Sequence, residues 1–443
     1  MNKILSMCMI LGAAVLFTAC AGEEDDLFDK SAAERLNEMR DVYSARLEAQ
    51  PAGWAMQYYP TDEADGYLIL ADFNADHSVL VAMRNEYTNN KYAECKSVWD
   101  IITDNGPVLS FNTYNDLFHI FSDPSDYWGG DTGTGIGGDY EFVVVDAPED
   151  ASYMMLKGKK RGTYTLLTPL EQGTDFETYF DQVINFQSTY LPLSAPNNIY
   201  LKGAATEAMN EKVYRFDFET SSQALIYPDG TDPVSYGEIY PFLVTQRSGK
   251  FYIRFRDQVN VGDGEVVREF VYDEIQDKFI CTEDERFTIE AEDPGAFFIR
   301  MITDGTRWQW QRNNTMSDKM QEAYDAVFNA FKDLGYSLLN MSFGLENNQT
   351  SMRVNFRQKQ SNRKVSFLYD FALDGDDINI TYKGPDGDGA QATLDAMQPL
   401  ADYVKSFNGK YKVSSSLTKF DQSDIRMISA TDANYWVDLK MVK

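Results

Sequence analysis

Gly133-Thr134-Gly135-Ile136-Gly137-Gly138 matches G-x-G-x-x-G, a string that lets a backbone approach a dinucleotide pyrophosphate. That chemistry needs a strand before the string and a helix N-terminus after it. Here Tyr127-Trp128-Gly129-Gly130-Asp131 precedes it and the strand-like run Tyr140–Val145 follows, so a glycine loop is expected and no cofactor. The two histidines, His77 and His119, stand in Asn74-Ala75-Asp76-His77, which reads as a turn, and in Phe118-His119-Ile120-Phe121, which reads as a half-buried, satisfied ring. No H-E-x-x-H and no closely spaced cysteine pair occurs, which argues against a zinc centre. No G-x-S-x-G elbow occurs, which argues against the familiar serine hydrolases. Asp374-Gly375-Asp376-Asp377 and Asp386-Gly387-Asp388-Gly389 offer oxygen ligands without EF-hand spacing and read as acidic turns. With 69 acidic residues, a carboxylate pair for hydrolysis can be drawn anywhere, so none is singled out and no catalytic residue is expected. Aromatic side chains remain. Trp308-Gln309-Trp310 would put both indoles on one face of a strand, as a stacking platform if exposed or as core if buried. Tyr127 and Trp128, beside the glycine loop, are the other candidate ligand contacts, since loops run over the surface.

One further residue carries chemistry. Met1-Asn2-Lys3, the apolar run Ile4–Phe17 and Thr18-Ala19-Cys20 are the parts of a secretory signal, too short to span a bilayer. Leu16-Phe17-Thr18-Ala19-Cys20 resembles the bacterial lipobox, with Phe17 where leucine is usual. That resemblance implies cleavage before Cys20 and its acylation, and two or three acyl chains hold a protein on a membrane stably. The acidic run Glu23-Glu24-Asp25-Asp26 reads as a solvated tether, because like charges in a row repel. It also resembles the export signal that sends Bacteroidota lipoproteins to the outer face of the outer membrane. The expected location is therefore the outer membrane, lipid-anchored and facing the exterior.

Composition narrows the partners. A formal charge of −29 would repel a phosphate backbone, which argues against nucleic acid. Hydrophobic residues at 43% and aromatics at 14% suffice for real cores, so disorder is not expected. Beyond Cys20, only Cys95 and Cys281 remain; one disulfide or two buried thiols are both open, and no framework of spacings favours a bridge.

The elements that position these residues are mostly strands. Runs such as Tyr67–Phe73, Ser78–Met83, Glu141–Asp146, Tyr214–Phe218, Phe251–Phe255, Val266–Tyr272, Met352–Phe356 and Val365–Tyr369 mix β-branched and aromatic residues between turn pairs. Four helices punctuate them. Capping boxes at Ser31–Glu34 and Thr174–Glu177 start two, a third runs from Ser317 to Leu334 before Gly335, and a fourth spans Ala390–Phe407 with a break at Pro399. The fold class expected is α+β, mostly antiparallel β, in two or three β-sheet modules with a few amphipathic helices. Trp99-Asp100 with Ser110–Tyr114, and Tyr369-Asp370 with Ile378–Tyr382, suggest an internal duplication of helix plus hairpins, with chance similarity as the alternative. The divisions expected are a signal peptide over 1–19, a tether over 20–30, a helix plus β module over 31–195, a middle β module over 196–310 with no clear helix, either separate or part of a neighbouring sheet, and a C-terminal helix plus β module over 311–443.

Several segments together resemble a Bacteroidota lipoprotein family, domain of unknown function 4302. They are Ala33–Asn37, Gly53–Pro60, Leu109–Tyr114, Phe121–Pro124, Gly137–Phe142 and Leu156–Gly162, clearest in the first 170 or so residues. The resemblance implies a family spanning nearly the whole mature chain, with no catalytic residues to carry over. Such lipoproteins resemble accessories of TonB-dependent uptake of the SusC and SusD kind, which implies nutrient capture by analogy of context. Cys20, the acidic tether, the β-rich modules and the missing catalytic motifs make a non-catalytic binder of a glycan, peptide or chelate the leading expectation. A structural or adhesive surface protein and an unrecognised carboxylate hydrolase are the rival readings.

Overall fold

The structure, a computed structural model, describes residues 30–442 apart from 105, 125–132, 134, 194–196 and 207–209. Its strands close into three barrels of eight, each an antiparallel meander in which the last strand pairs with the first. The first barrel comprises β1 (Trp54–Tyr58), β2 (Tyr67–Phe73), β3 (Ser78–Met83), β4 (Ala93–Thr103), β5 (Pro107–Phe111), β6 (Glu141–Asp146), β7 (Met154–Gly158) and β8 (Tyr164–Pro169). The second comprises β9 (Ile199–Gly203), β10 (Lys212–Thr220), β11 (Gln223–Pro228), β12 (Glu238–Arg247), β13 (Lys250–Asn260), β14 (Val266–Asp273), β15 (Lys278–Cys281) and β16 (Phe287–Ala291). The third comprises β17 (Arg307–Trp310), β18 (Tyr336–Glu346), β19 (Gln349–Gln358), β20 (Ser361–Asp374), β21 (Asp377–Pro385), β22 (Gly409–Ser415), β23 (Asp424–Ser429) and β24 (Trp436–Val442). Closure is set by the registers Trp54↔Pro169, Ile199↔Ala291 and Trp308↔Met441.

Eight strands enclose a space that side chains can just fill, and here aromatics fill it. Trp54, Tyr58, Trp99 and Phe142 pack the first barrel, Phe216, Phe242, Phe255 and Phe270 the second, and Trp308, Trp310, Phe343 and Tyr369 the third. Alternation along β2 shows how: Tyr67, Ile69, Ala71 and Phe73 join the first core, while Leu70 joins the cluster shared with the second barrel.

A helix precedes each barrel: α1 (Ala32–Glu48), α2 (Phe176–Tyr190) and, after the one-turn α3 (Pro233–Tyr236), α4 (Pro294–Thr303). The Ser31–Glu34 capping box of α1 forms as expected, whereas the cap of α2 is Asp175, one residue later than Thr174, and its carboxylate accepts from Thr178 N. In the stretch expected to lack a helix, Asp293 caps α4 and Pro294 occupies its first turn. The helix escapes notice because Phe297, Phe298, Met301 and Ile302 form a short apolar run that also fits a strand. The expected boundary after Trp310 falls at the end of β17, which pairs with β18 and β24 and so belongs to the third barrel.

The three similar units are consistent with internal duplication. Trp99-Asp100 lies in β4 and Tyr369-Asp370 in β20, each the fourth strand of its barrel. The first strands match more deeply: the Trp54 indole N–H donates to Leu47 O of α1 at 3.0 Å, and that of Trp308 to Phe298 O of α4 at 3.1 Å. The helix equivalent to α1 is therefore α4. The Ser317-capped helix α5 (Asp318–Asp333), expected to match α1, is an insertion between β17 and β18. The fourth expected helix is two, α6 (Asp388–Ala396) and α7 (Gln398–Ser406), broken at Met397 with Pro399 in the new first turn.

Candidate functional site

An opening of about 720 Å³ lies where the first barrel, α2 and the second barrel meet, forming a cleft. Two bonds hold its edge: Gly66 N donates to Ser222 Oγ at 3.1 Å and Thr220 Oγ1 to Asp65 Oδ1 at 2.7 Å. Its floor is aliphatic, with Leu68 from β2, Val183 and Ile184 from α2, and Leu243 and Val244 from β12. Its rim is polar. Arg84 pairs with Asp181 of α2, and the Arg84 Nε–H donates to Asn90 O at 3.0 Å. Asn85 accepts from Tyr87 N at 3.0 Å, and Asn89 and Asn90 take left-handed backbone angles of 54° and 57°, which asparagine tolerates. The Tyr67 hydroxyl donates to Glu86 at 3.0 Å, and burial holds its pKa well above the usual phenol range.

The two carboxylates that line the cleft, Asp65 and Glu86, already accept hydrogen bonds from the protein, Asp181 at its rim is paired with Arg84, and among the described residues no histidine or cysteine lines it. Its aromatic residues, Tyr67 and Phe180, are 7% and 2% exposed and offer no open ring face to a sugar. Among the described residues, no group of three or more His, Cys, Asp and Glu is placed to hold a metal ion.

The residues singled out in the sequence lie elsewhere. Trp308 and Trp310 do share a face of β17, but it points inward and both are fully buried, so they form no platform. The Trp310 indole N–H donates to the Tyr403 hydroxyl at 2.9 Å. Tyr127, Trp128 and Cys20 lie outside the described residues. Cys95 and Cys281 are free, in different barrels. His119 is half-buried, accepts from Asn115 N at Nδ1 (3.1 Å), and burial lowers its pKa; His77 sits in its turn at φ 62°. The glycine loop leads into β6 and not into a helix. Around the Asp374 turn, Lys410 already pairs with Asp374 and Asp377, at 3.2 and 3.3 Å.

A family profile described as domain of unknown function (DUF4302) matches residues 24–274, more than half of the sequence. The chain belongs to this family. No curated protein matches it. The DUF4302 match ends just after β14, so it takes in the first barrel, α2 and most of the second, and stops short of the full span expected. Every residue lining the cleft lies inside it.

Three of these family-like segments, Gly53–Pro60, Gly137–Phe142 and Leu156–Gly162, meet in one knot. The buried Asp139 carboxylate accepts from Lys160 N at 3.0 Å and Arg161 N at 2.7 Å, and its carbonyl accepts from the Tyr58 hydroxyl at 3.0 Å. Gly138 and Gly158 have no room for a β-carbon: one would strike the Tyr58 hydroxyl, the other the Asp139 carboxylate. These residues thus hold the β7–β8 turn against the crossing from β5 to β6, a packing role. The cleft residues gave no motif; only their convergence in space reveals them.

Proposed function

We propose that this DUF4302 protein is a non-catalytic, lipid-anchored surface lipoprotein whose inter-barrel cleft captures an amphipathic ligand, foremost a peptide, for an outer-membrane transporter of the SusC and SusD kind. The observation that carries the reading is the cleft itself, an aliphatic floor under a rim of amides, hydroxyls and one ion pair at a junction of two units, where ligand sites commonly form. Peptides are favoured over glycans because both aromatic residues of the cleft are buried. Cys20 and the acidic run after it support the anchor and the outward location.

The test is capture of peptide and glycan pools on the intact protein, read by mass spectrometry. Enrichment of peptides bearing aliphatic side chains is expected; capture of nothing above a blank surface contradicts the reading. The location is tested by protease shaving of intact cells, where the native protein is expected to be cut and Cys20→Ala to be released in soluble form. A structural or adhesive role is the second reading, favoured by barrel interiors packed with side chains.

A further inference from the structure

We propose that the interface between the first two barrels, away from the cleft, holds a chloride-sized monovalent anion seated between Gln57 and Tyr59 on one side and Arg254 and Arg268 on the other. Met56 and Tyr58 fill the first barrel, so Gln57 and Tyr59 point out toward the second. They are only 2% and 3% exposed, and Gln57 Nε2 and the Tyr59 hydroxyl find no hydrogen-bond partner among the described residues. Buried donors are rarely left in that state.

Facing them are guanidinium groups. Arg254, Arg256 and Arg268 all lie within electrostatic reach of the Tyr59 hydroxyl, and the Arg256 guanidinium is 5.9 Å from its ring. Arg256 is neutralised by Asp257 at 2.7 Å. Arg254 has Glu269 at 3.3 Å, a carboxylate it shares with Arg247 at 2.6 Å. Arg268 has no carboxylate bonded to it among the described residues and donates only to the carbonyls of Phe255 and Arg256. Its burial and then the neighbouring Arg254 depress its pKa, against the opposite pull of Asp257 and Glu283 nearby.

The space between these side chains lets the centre of a water-sized sphere range over only about 10 Å³. One water or one chloride fits there. Charge and hydrogen-bond supply choose between the two. The unpartnered Gln57 N–H and Tyr59 O–H and the guanidinium groups of Arg254 and Arg268 line the space, against the oxygens of Tyr59 and Gln57 as acceptors, so donors and positive charge predominate and favour an anion over a water.

Crystals of the protein soaked in sodium bromide, measured at the bromine edge, are expected to show an anomalous peak within hydrogen-bond distance of Gln57, Tyr59 and Arg268. In solution, Tm is expected to rise by roughly 2 °C per tenfold chloride beyond the effect of gluconate at equal ionic strength. That excess is expected to vanish in Arg268→Gln and in the milder Tyr59→Phe. A site occupied by water with no bromide peak, or equal Tm responses of the native protein to chloride and gluconate, would overturn the proposal.

Discussion

Phe420→Ala should loosen the third barrel from the second while leaving the third barrel's own core intact. Phe420 sits between β22 and β23 of the third barrel, yet it is fully buried in the cluster built by α2 and the second barrel, with its ring 5.9 Å from those of Tyr190 and Phe279. Its neighbours secure the same contact: the Gln422 amide donates to Glu292 O at 2.7 Å and Thr418 Oγ1 to Thr189 O at 3.1 Å. Truncating a fully buried phenylalanine removes its transfer free energy and leaves a cavity, together about 3 to 5 kcal/mol. Because none of that ring packs in the third barrel's cluster, the loss should fall on docking. Chemical denaturation followed by hydrogen exchange reads it: amides of α2 and of residues 418–423 should lose protection by about two orders of magnitude or more, while those of β17–β20 keep theirs. A change below about 0.5 kcal/mol, or loss of protection centred on β17–β20, would refute the reasoning.

Asp139→Ala removes the acceptor of two backbone N–H groups at the β7–β8 turn and should cost about 2 to 3 kcal/mol, with faster exchange at Lys160 and Arg161; unchanged exchange there would show that the knot holds nothing. His119 should titrate below about 6.5, the ordinary imidazole value, because burial disfavours its charged form. With a depressed folded pKa, the unfolded chain binds more protons, so this contribution to stability is full above that value and is lost as pH falls through the window beneath it. An NMR midpoint for His119 above 6.5 would contradict the buried, neutral ring. Cys95 and Cys281 should both be found as thiols without reduction. In the folded protein Cys281, its pKa pushed up to about 11 by burial and then by the Glu283 carboxylate, should react about a hundredfold slower than the half-buried Cys95; equal rates would contradict its placement.

Strands and capped helices were legible because their signals are local. The apolar run Tyr67–Phe73 and the capping box at Ser31–Glu34 are each complete within a few residues. Barrel closure was not, since Trp54 and Pro169 are partners far apart in the chain and no local pattern encodes their pairing. Trp308-Gln309-Trp310 shows the same limit at the scale of a site. Period-two spacing put both indoles on one face, but which face is inward depends on β18 and β24. The cleft was invisible for a related reason: it draws on β2, the turn after β3, α2, β11's approach and β12, and none of these segments carries a motif alone.

Ser188→Trp decides whether ligand binds in the cleft. Ser188 lies on the exposed side of α2 and lines the cleft, so an indole there fills the opening without disturbing either core. Capture of the peptides held by the native protein should fall about tenfold or more, equivalent to about 1.4 kcal/mol, with Tm unchanged. Undiminished capture by a folded Ser188→Trp protein would place the ligand elsewhere and contradict the account.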